Sequence, residues 1–288
     1  MQNLENKLLT IFKSRVENDQ LGQILEYAMF PAGKLFRPKL VLALAQDLGE
    51  ALEDHYLLSA AIEAHHAYSL VHDDLPCMDD DNVRRGRPSV HKQFGEWQAL
   101  LAGDGLINLS YQLLSEMSSP EAARIIRNFA QMMGAKGLIL GQFIDLSRQE
   151  KTFSDTLLMH ELKTSRLIQF SLLGSLVLSG EQKNLAEDEA LELGKIIGVN
   201  FQLLDDLAEL AQETSEHEGE VNAFLNYTPT IVVKHICQNN ERILQLTKDK
   251  RLKLLYTAYS GYIEKTFAKL AQNQKKVLNR TGLTLADL

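Results

Sequence analysis

Five aspartates (Asp73, Asp74, Asp79, Asp80 and Asp81) fall within nine residues of the stretch HHAYSLVHDDLPCMDDDNVRRGRPSVH. They follow an apolar helical pattern, which puts them at a helix C-terminus, where the dipole disfavours negative charge. Mutual repulsion adds to the cost, so the cluster calls for cations. Arg84 and Arg85 follow at once. A hard divalent ion such as Mg²⁺, which takes carboxylate oxygens and keeps several waters, would supply the rest, a reading favoured over a solvated acidic loop that caps nothing. In an unbroken helix Asp73 and Asp79 would point to different sides. Pro76 disfavours helical geometry at Leu75 and breaks the ladder, so the chain can fold Asp79 back toward Asp73.

A second acidic cluster ends another helical pattern, GVNFQLLDDLAEL. Asp205 and Glu209 are four apart and share a helix face, with Asp206 beside them and Gln202 one turn earlier. Like charges at that spacing weaken a helix slightly. Taken alone, this cluster reads equally as a metal-binding face or as a solvated acidic face. Two such clusters on facing helices would form a cage for metal ions that bridge a diphosphate.

The elements that carry these residues are helical. Leu40, Ala43, Leu44, Ala45 and Leu48 follow the spacing of one helix face, and Leu57, Leu58, Ala61, Ile62 and His65 continue it. Similar faces recur at Leu109–Met117, Ile125–Met133, Leu191–Leu203 and Ile231–Leu255. The one short strand candidate, Thr230–Val233, follows Pro229 and fits a helix start as well. Gly134, Gly137, Gly141, Gly174 and Gly198 lie in apolar helical patterns and imply close packing or bends. With no repeat and no Gly/Ser-rich linker, residues 1–288 read as a single all-α domain.

Of the 288 residues, 45% are hydrophobic and 24% charged, a globular composition. The net charge of −8 argues against general nucleic-acid binding. Anionic substrates remain compatible with it, because divalent ions can sit between them and an acidic cleft. Cys77 and Cys237 are the only cysteines, ordinary for a reducing cytoplasm. Charges interrupt the N-terminus throughout, and the most apolar stretch, Leu167–Leu178, is too short and polar for a membrane span.

The string HAYSLVHDDLPCMDDDNVRRG resembles the first aspartate-rich motif of the trans-isoprenyl diphosphate synthases, the polyprenyl synthetase family, in its short-chain bacterial farnesyl form. GKLFRP, GQFIDL, HELKTSRLI and FQLLDD resemble the family's other motifs and occur in family order from about Gly33 to Pro229. The resemblance implies an isoprenoid-synthase helical bundle around a central cavity. It implies that Lys34, Arg37, His66 and Arg85 hold isopentenyl diphosphate and that Arg84 contacts an allylic diphosphate. It implicates Gln142, Lys163, Thr164 and Gln202 in substrate binding, and Asp73, Asp74, Asp79, Lys163 and Asp205 in catalysis. It further implies that Asp73, Asp74, Asp79, Asp205, Asp206 and Glu209 bind Mg²⁺, three ions with the bound diphosphate, and that the assembly is a cytoplasmic homodimer.

On this reading the metals and cations stabilise a departing diphosphate, and the double bond of isopentenyl diphosphate attacks the allylic cation. Tyr68, five residues before Asp73, sits about 7.5 Å deeper along the helix. The resemblance makes it the cavity floor and implies a C10–C15 product. Two features depart from the family. The second motif ends in Glu209, where the family has aspartate. No Lys or Arg occurs from Ile196 to Val233, where the family carries lysines, while carboxylates stand at 205, 206, 209, 213, 216, 218 and 220. Four readings therefore stay open: an active synthase, a catalytically weak homologue or partner subunit, a terpene-cyclase-like enzyme, and a helical scaffold that only binds partners.

Overall fold

The computed structural model describes residues 2–147, 151–180, 184–210 and 222–282. Carboxylates 213, 216, 218 and 220, and most of the C-terminal stretch LNRTGLTLADL, lie outside the described residues. The described chain is helical apart from one two-stranded hairpin. The order begins α1 (Gln2–Lys13), α2 (Gln20–Met29), α3 (Phe36–Asp47) and α4 (Glu53–Asp73). The hairpin β1 (Val83–Arg84) and β2 (Arg87–Pro88) follows, then α5 (Val90–Phe94), α6 (Glu96–Ser115), α7 (Ala122–Met133), α8 (Leu138–Leu146) and α9 (Phe153–His160). A π-helical turn, Glu161–Ser165, runs into α10 (Arg166–Leu178). The remainder is α11 (Glu187–Glu209), α12 (Ala223–Asn226), α13 (Pro229–Asp249), α14 (Lys253–Gln272) and α15 (Gln274–Thr281).

The centre of the molecule is α10, in which every residue from Leu167 to Val177 is buried. A helix apolar all round belongs inside, and here its faces serve two cores. Leu167, Phe170, Leu173 and Val177 join α1, α2, α4, α6 and α7, while Ile168, Leu172 and Leu176 join α3, α11, α13 and α14. Gly194 of α11 makes that packing possible: a Cβ there would lie 2.4 Å from the Cα of Gln169 in α10. Thr230–Val233 is helical, with Pro229 at the first turn of α13. Gly134 and Gly137, expected inside helices, instead end α7 and open α8. Among the described residues no helix is long and apolar enough to cross a membrane.

Candidate functional site

The first acidic cluster sits where α4 stops. Asp73 is the last helical residue, and the loop carrying Pro76 turns back so that Asp79 N–H donates to the Asp73 carbonyl at 2.8 Å. The side chains then part company. Asp73 lines a cavity of about 780 Å³. Burial pushes its carboxyl up to about 7; Lys163 opposes the rise and the Asp79 charge adds to it. Asp74 turns inward, 2% exposed, and accepts from Nε (2.9 Å) and Nη2 of Arg84, which also reaches Asp81 at 2.6 Å.

The β1–β2 hairpin, too short to show in a periodicity reading, aims the two arginines. Arg85 and Gly86 both have positive φ (55° and 76°), the geometry of a two-residue hairpin turn. Arg85 Nη1 donates to the carbonyls of Met29 and Pro31, 3.0 Å each, and both arginines line the cavity. Leu35, at φ 49°, swings the chain into α3 so that Lys34 and Arg37 line it too. His66 lies beside them. Burial and then the nearby arginines hold it well below the usual histidine range, so its ring is neutral at pH 7.

The second cluster divides in the same way. Asp205 lines the cavity and its Oδ1 accepts from Lys34 Nζ at 3.0 Å and from the Tyr262 hydroxyl at 2.9 Å. Asp206, 3% exposed, faces the protein: it accepts from Gln202 Nε2 and from Ala223 N–H, each at 3.0 Å. Burial pushes its carboxyl up to about 7, against those hydrogen bonds. Gln202 Oε1 in turn accepts from Thr164 at 3.0 Å. Glu209 borders a second cavity of about 910 Å³, which shares Lys34, Phe36 and Asp205 with the first.

Lys163 enters from the π turn. A Cβ at Gly141 would lie 2.2 Å from its backbone nitrogen, so α8 packs directly on that turn. Its Nζ bonds Asp145 at 2.5 Å. Burial lowers its pKa, but Asp145 and Asp73 more than offset that, and the ammonium is favoured overall. Gln142 also lines the cavity, with its Nε2 buried and lacking a hydrogen-bond partner among the described residues. Tyr68 lines the cavity from α4, 7% exposed, with the His65 ring edge-on beneath it at 4.4 Å.

Three further groups in or behind this site lie outside the residues singled out above. Asp145, the partner of Lys163, stands within GQFIDL, and that motif is its one sequence signal. Tyr262 comes from α14, and with Phe201 and Phe36 it forms an aromatic stack over which Lys34 lies at 5.1–5.3 Å. Glu63 lines the cavity one turn before His66.

Among the described residues no three His, Cys, Asp or Glu side chains converge tightly enough to hold a metal ion alone. The donor set still fits Mg²⁺, which binds through one or two carboxylates and completes its shell with water and substrate phosphate oxygens. Asp73 and Asp205 offer those carboxylates in one cavity.

The polyprenyl synthetase family model matches residues 18–259. The chain belongs to the polyprenyl synthetase family. It is 38% identical over 215 residues to the farnesyl diphosphate synthase of Haemophilus influenzae, covering 73% of each chain. The crystal structure of a Thermotoga maritima geranyltranstransferase is also similar (TM-score 0.80, 27% identity, 93% of this chain and 97% of that one). So is that of the Helicobacter pylori geranyltransferase complexed with magnesium and isoprenyl diphosphate (TM-score 0.78, 27% identity, 93% and 96%). Helical polyprenyl synthetases are thus this chain's sequence relatives and its structural ones.

Proposed function

We propose that this polyprenyl synthetase is a short-chain prenyltransferase that condenses isopentenyl diphosphate head to tail with dimethylallyl or geranyl diphosphate. The observation that carries the reading is one cavity lined by Asp73 and Asp205 together with Lys34, Arg37, Arg84, Arg85 and Lys163, with Tyr68 also in its wall. Carboxylates lining a pocket suit a metal-bridged diphosphate, and the five cations suit phosphate oxygens. The apolar depth suits a prenyl chain that must be kept from water while cationic.

Asp73 and Asp205 would hold Mg²⁺, with Asp79 beside Asp73 and Glu209 beside Asp205, and three ions is the proposed number. When bound, Mg²⁺ neutralises the charge that builds on the leaving diphosphate. Arg84 and Lys163, which line the same cavity, would bind that same group, while Lys34, Arg37, His66 and Arg85 would hold the second diphosphate. The neutral His66 ring can donate to a phosphate oxygen without a proton transfer. Asp74 and Asp206 act behind the site, Asp74 by orienting Arg84 and Asp206 by orienting Gln202 and, through it, Thr164.

The single domain is proposed to work as a cytoplasmic homodimer. Both cysteines are free, which agrees with a reducing compartment. Trp97, Leu100 and Leu101 stand together on α6 with about half or more of their surface exposed, a face suited to a second copy. The test of function is Mg²⁺-dependent diphosphate release from geranyl plus isopentenyl diphosphate. Absence of turnover at saturating Mg²⁺ would make the chain a non-catalytic homologue or partner subunit. Release without isopentenyl diphosphate would make it a cyclase or hydrolase.

A further inference from the structure

Glu63 sits in the cavity wall among cations. It is 2% exposed, and its Oε1 lies 3.8 Å from Arg85 Nη2, an ionic contact too long for a hydrogen bond. Arg37, on α3, is buried as well, and its Nε has no hydrogen-bond partner among the described residues. The strongest charge interaction favouring the Arg37 guanidinium is with Glu63. Arg85 is fixed at its other end by the carbonyls of Met29 and Pro31. Two arginines from separate elements thus share one cavity wall with a single buried carboxylate. Buried like charges without a counter-charge repel each other and seek water, which would draw both guanidiniums off the wall. Burial raises the Glu63 carboxyl above its usual range, and Arg85 and Arg37 oppose the rise.

We propose that Glu63 is a positioning residue for the second substrate: it holds Arg37 and Arg85 side by side in the cavity wall so that both meet the diphosphate of isopentenyl diphosphate. The proposal rests on the prenyl-transfer reading. In this role Glu63 acts through the two arginines and not on the substrate directly. The alternative is that its negative charge merely repels a diphosphate, and the two ideas predict opposite signs when the charge is removed.

Isothermal titration of the full chain in Mg²⁺, with isopentenyl diphosphate and separately with geranyl diphosphate, reads this directly. Glu63→Gln is expected to raise the Kd for isopentenyl diphosphate about tenfold, leaving geranyl diphosphate within about threefold. Glu63→Asp, which keeps the charge but shortens its reach, should fall between. Glu63→Gln added to Arg85→Gln should cost less than it does alone, because the two act on one contact. Unchanged or tighter binding of isopentenyl diphosphate by Glu63→Gln overturns the proposal. So does an equal loss for both substrates accompanied by a lower melting temperature, which marks a general structural role. If Glu63→Gln does not fold, unchanged affinity in Glu63→Asp overturns it instead. A parent chain that binds no isopentenyl diphosphate overturns the prenyl-transfer reading itself, and this proposal with it.

Discussion

Tyr68→Ala tests the cavity floor. Along α4 Tyr68 lies five residues from Asp73, a rise of about 7.5 Å. Removing its ring exposes the next layer, His65 and Phe129, whose rings are 4.8 Å apart and are backed by Phe170 and Tyr111. His65 is eight residues from Asp73, about 12 Å along the same helix. The depth gained is therefore about 4.5 Å. An isoprene unit adds four chain bonds, about 5 Å when extended. The product is expected to lengthen by one unit, from C15 to C20, and to stop there. Truncating a buried aromatic costs about 3–5 kcal/mol in a closed core. The lower end applies here, because one face of Tyr68 already borders a cavity, so the melting temperature should fall by roughly 6–12 °C. The assay is chromatography of dephosphorylated products at a temperature where the variant is folded. Product lengths matching the parent refute the floor. A ladder running well past C20 refutes His65 and Phe129 as the second layer.

Tyr262→Phe removes the hydroxyl that bonds Asp205, a hydrogen bond to a charged group worth about 1.5–3 kcal/mol; kcat/KM should drop about tenfold or more, and a Mg²⁺ titration should show a higher requirement. Burial, opposed by Asp145, holds His160 down at about 4, so below an unfolded value near 6.5 the unfolded chain takes up the proton first and this group's support is lost as pH falls toward 4. Relative to His160→Gln, the parent should thus lose about 2 kcal/mol between pH 7.5 and 5, read by denaturant unfolding of both chains, and a constant gap would contradict the burial argument. Trp97→Glu places a charge on the exposed α6 face and should convert the proposed dimer to a monomer by light scattering.

Much of this architecture was legible because it is local. The end of α4 at Asp73 follows from Pro76, and the helical start at Pro229 follows from its missing N–H. What periodicity could not decide is which of two adjacent aspartates faces substrate. Neighbouring helical residues differ by about 100° in direction, and only packing tells that Asp73 and Asp205 line the cavity while Asp74 and Asp206 serve Arg84 and Gln202. Tyr262 was invisible for another reason: it reaches Asp205 across 57 residues of chain, and a lone tyrosine on a helix resembles any core tyrosine. Glu63 carries no motif of its own, and its burial and its contact with Arg85 come from tertiary packing that the sequence pattern does not show.

The missing lysines between Ile196 and Val233 look different once the pairs are in view. The cations lining the cavity come from elsewhere in the chain, and several are matched to carboxylates: Lys34 to Asp205, Lys163 to Asp145, Arg84 to Asp74 and Asp81. A divalent ion held at Asp205, as proposed, would compete with Lys34 for the same carboxylate, which would couple the two sites. Metal and allylic diphosphate at Asp205 would free Lys34 for the second diphosphate. By reciprocity, isopentenyl diphosphate drawing Lys34 away would strengthen metal binding. Lys163 keeps its hydrogen bond to Asp145, a carboxylate outside the proposed metal ligands, so it can stay anchored while the Asp73 charge it also feels is shared with an ion. An acidic, lysine-poor segment after the second motif is then compatible with the proposed catalysis, in which the cations that would meet each diphosphate are supplied by residues outside it.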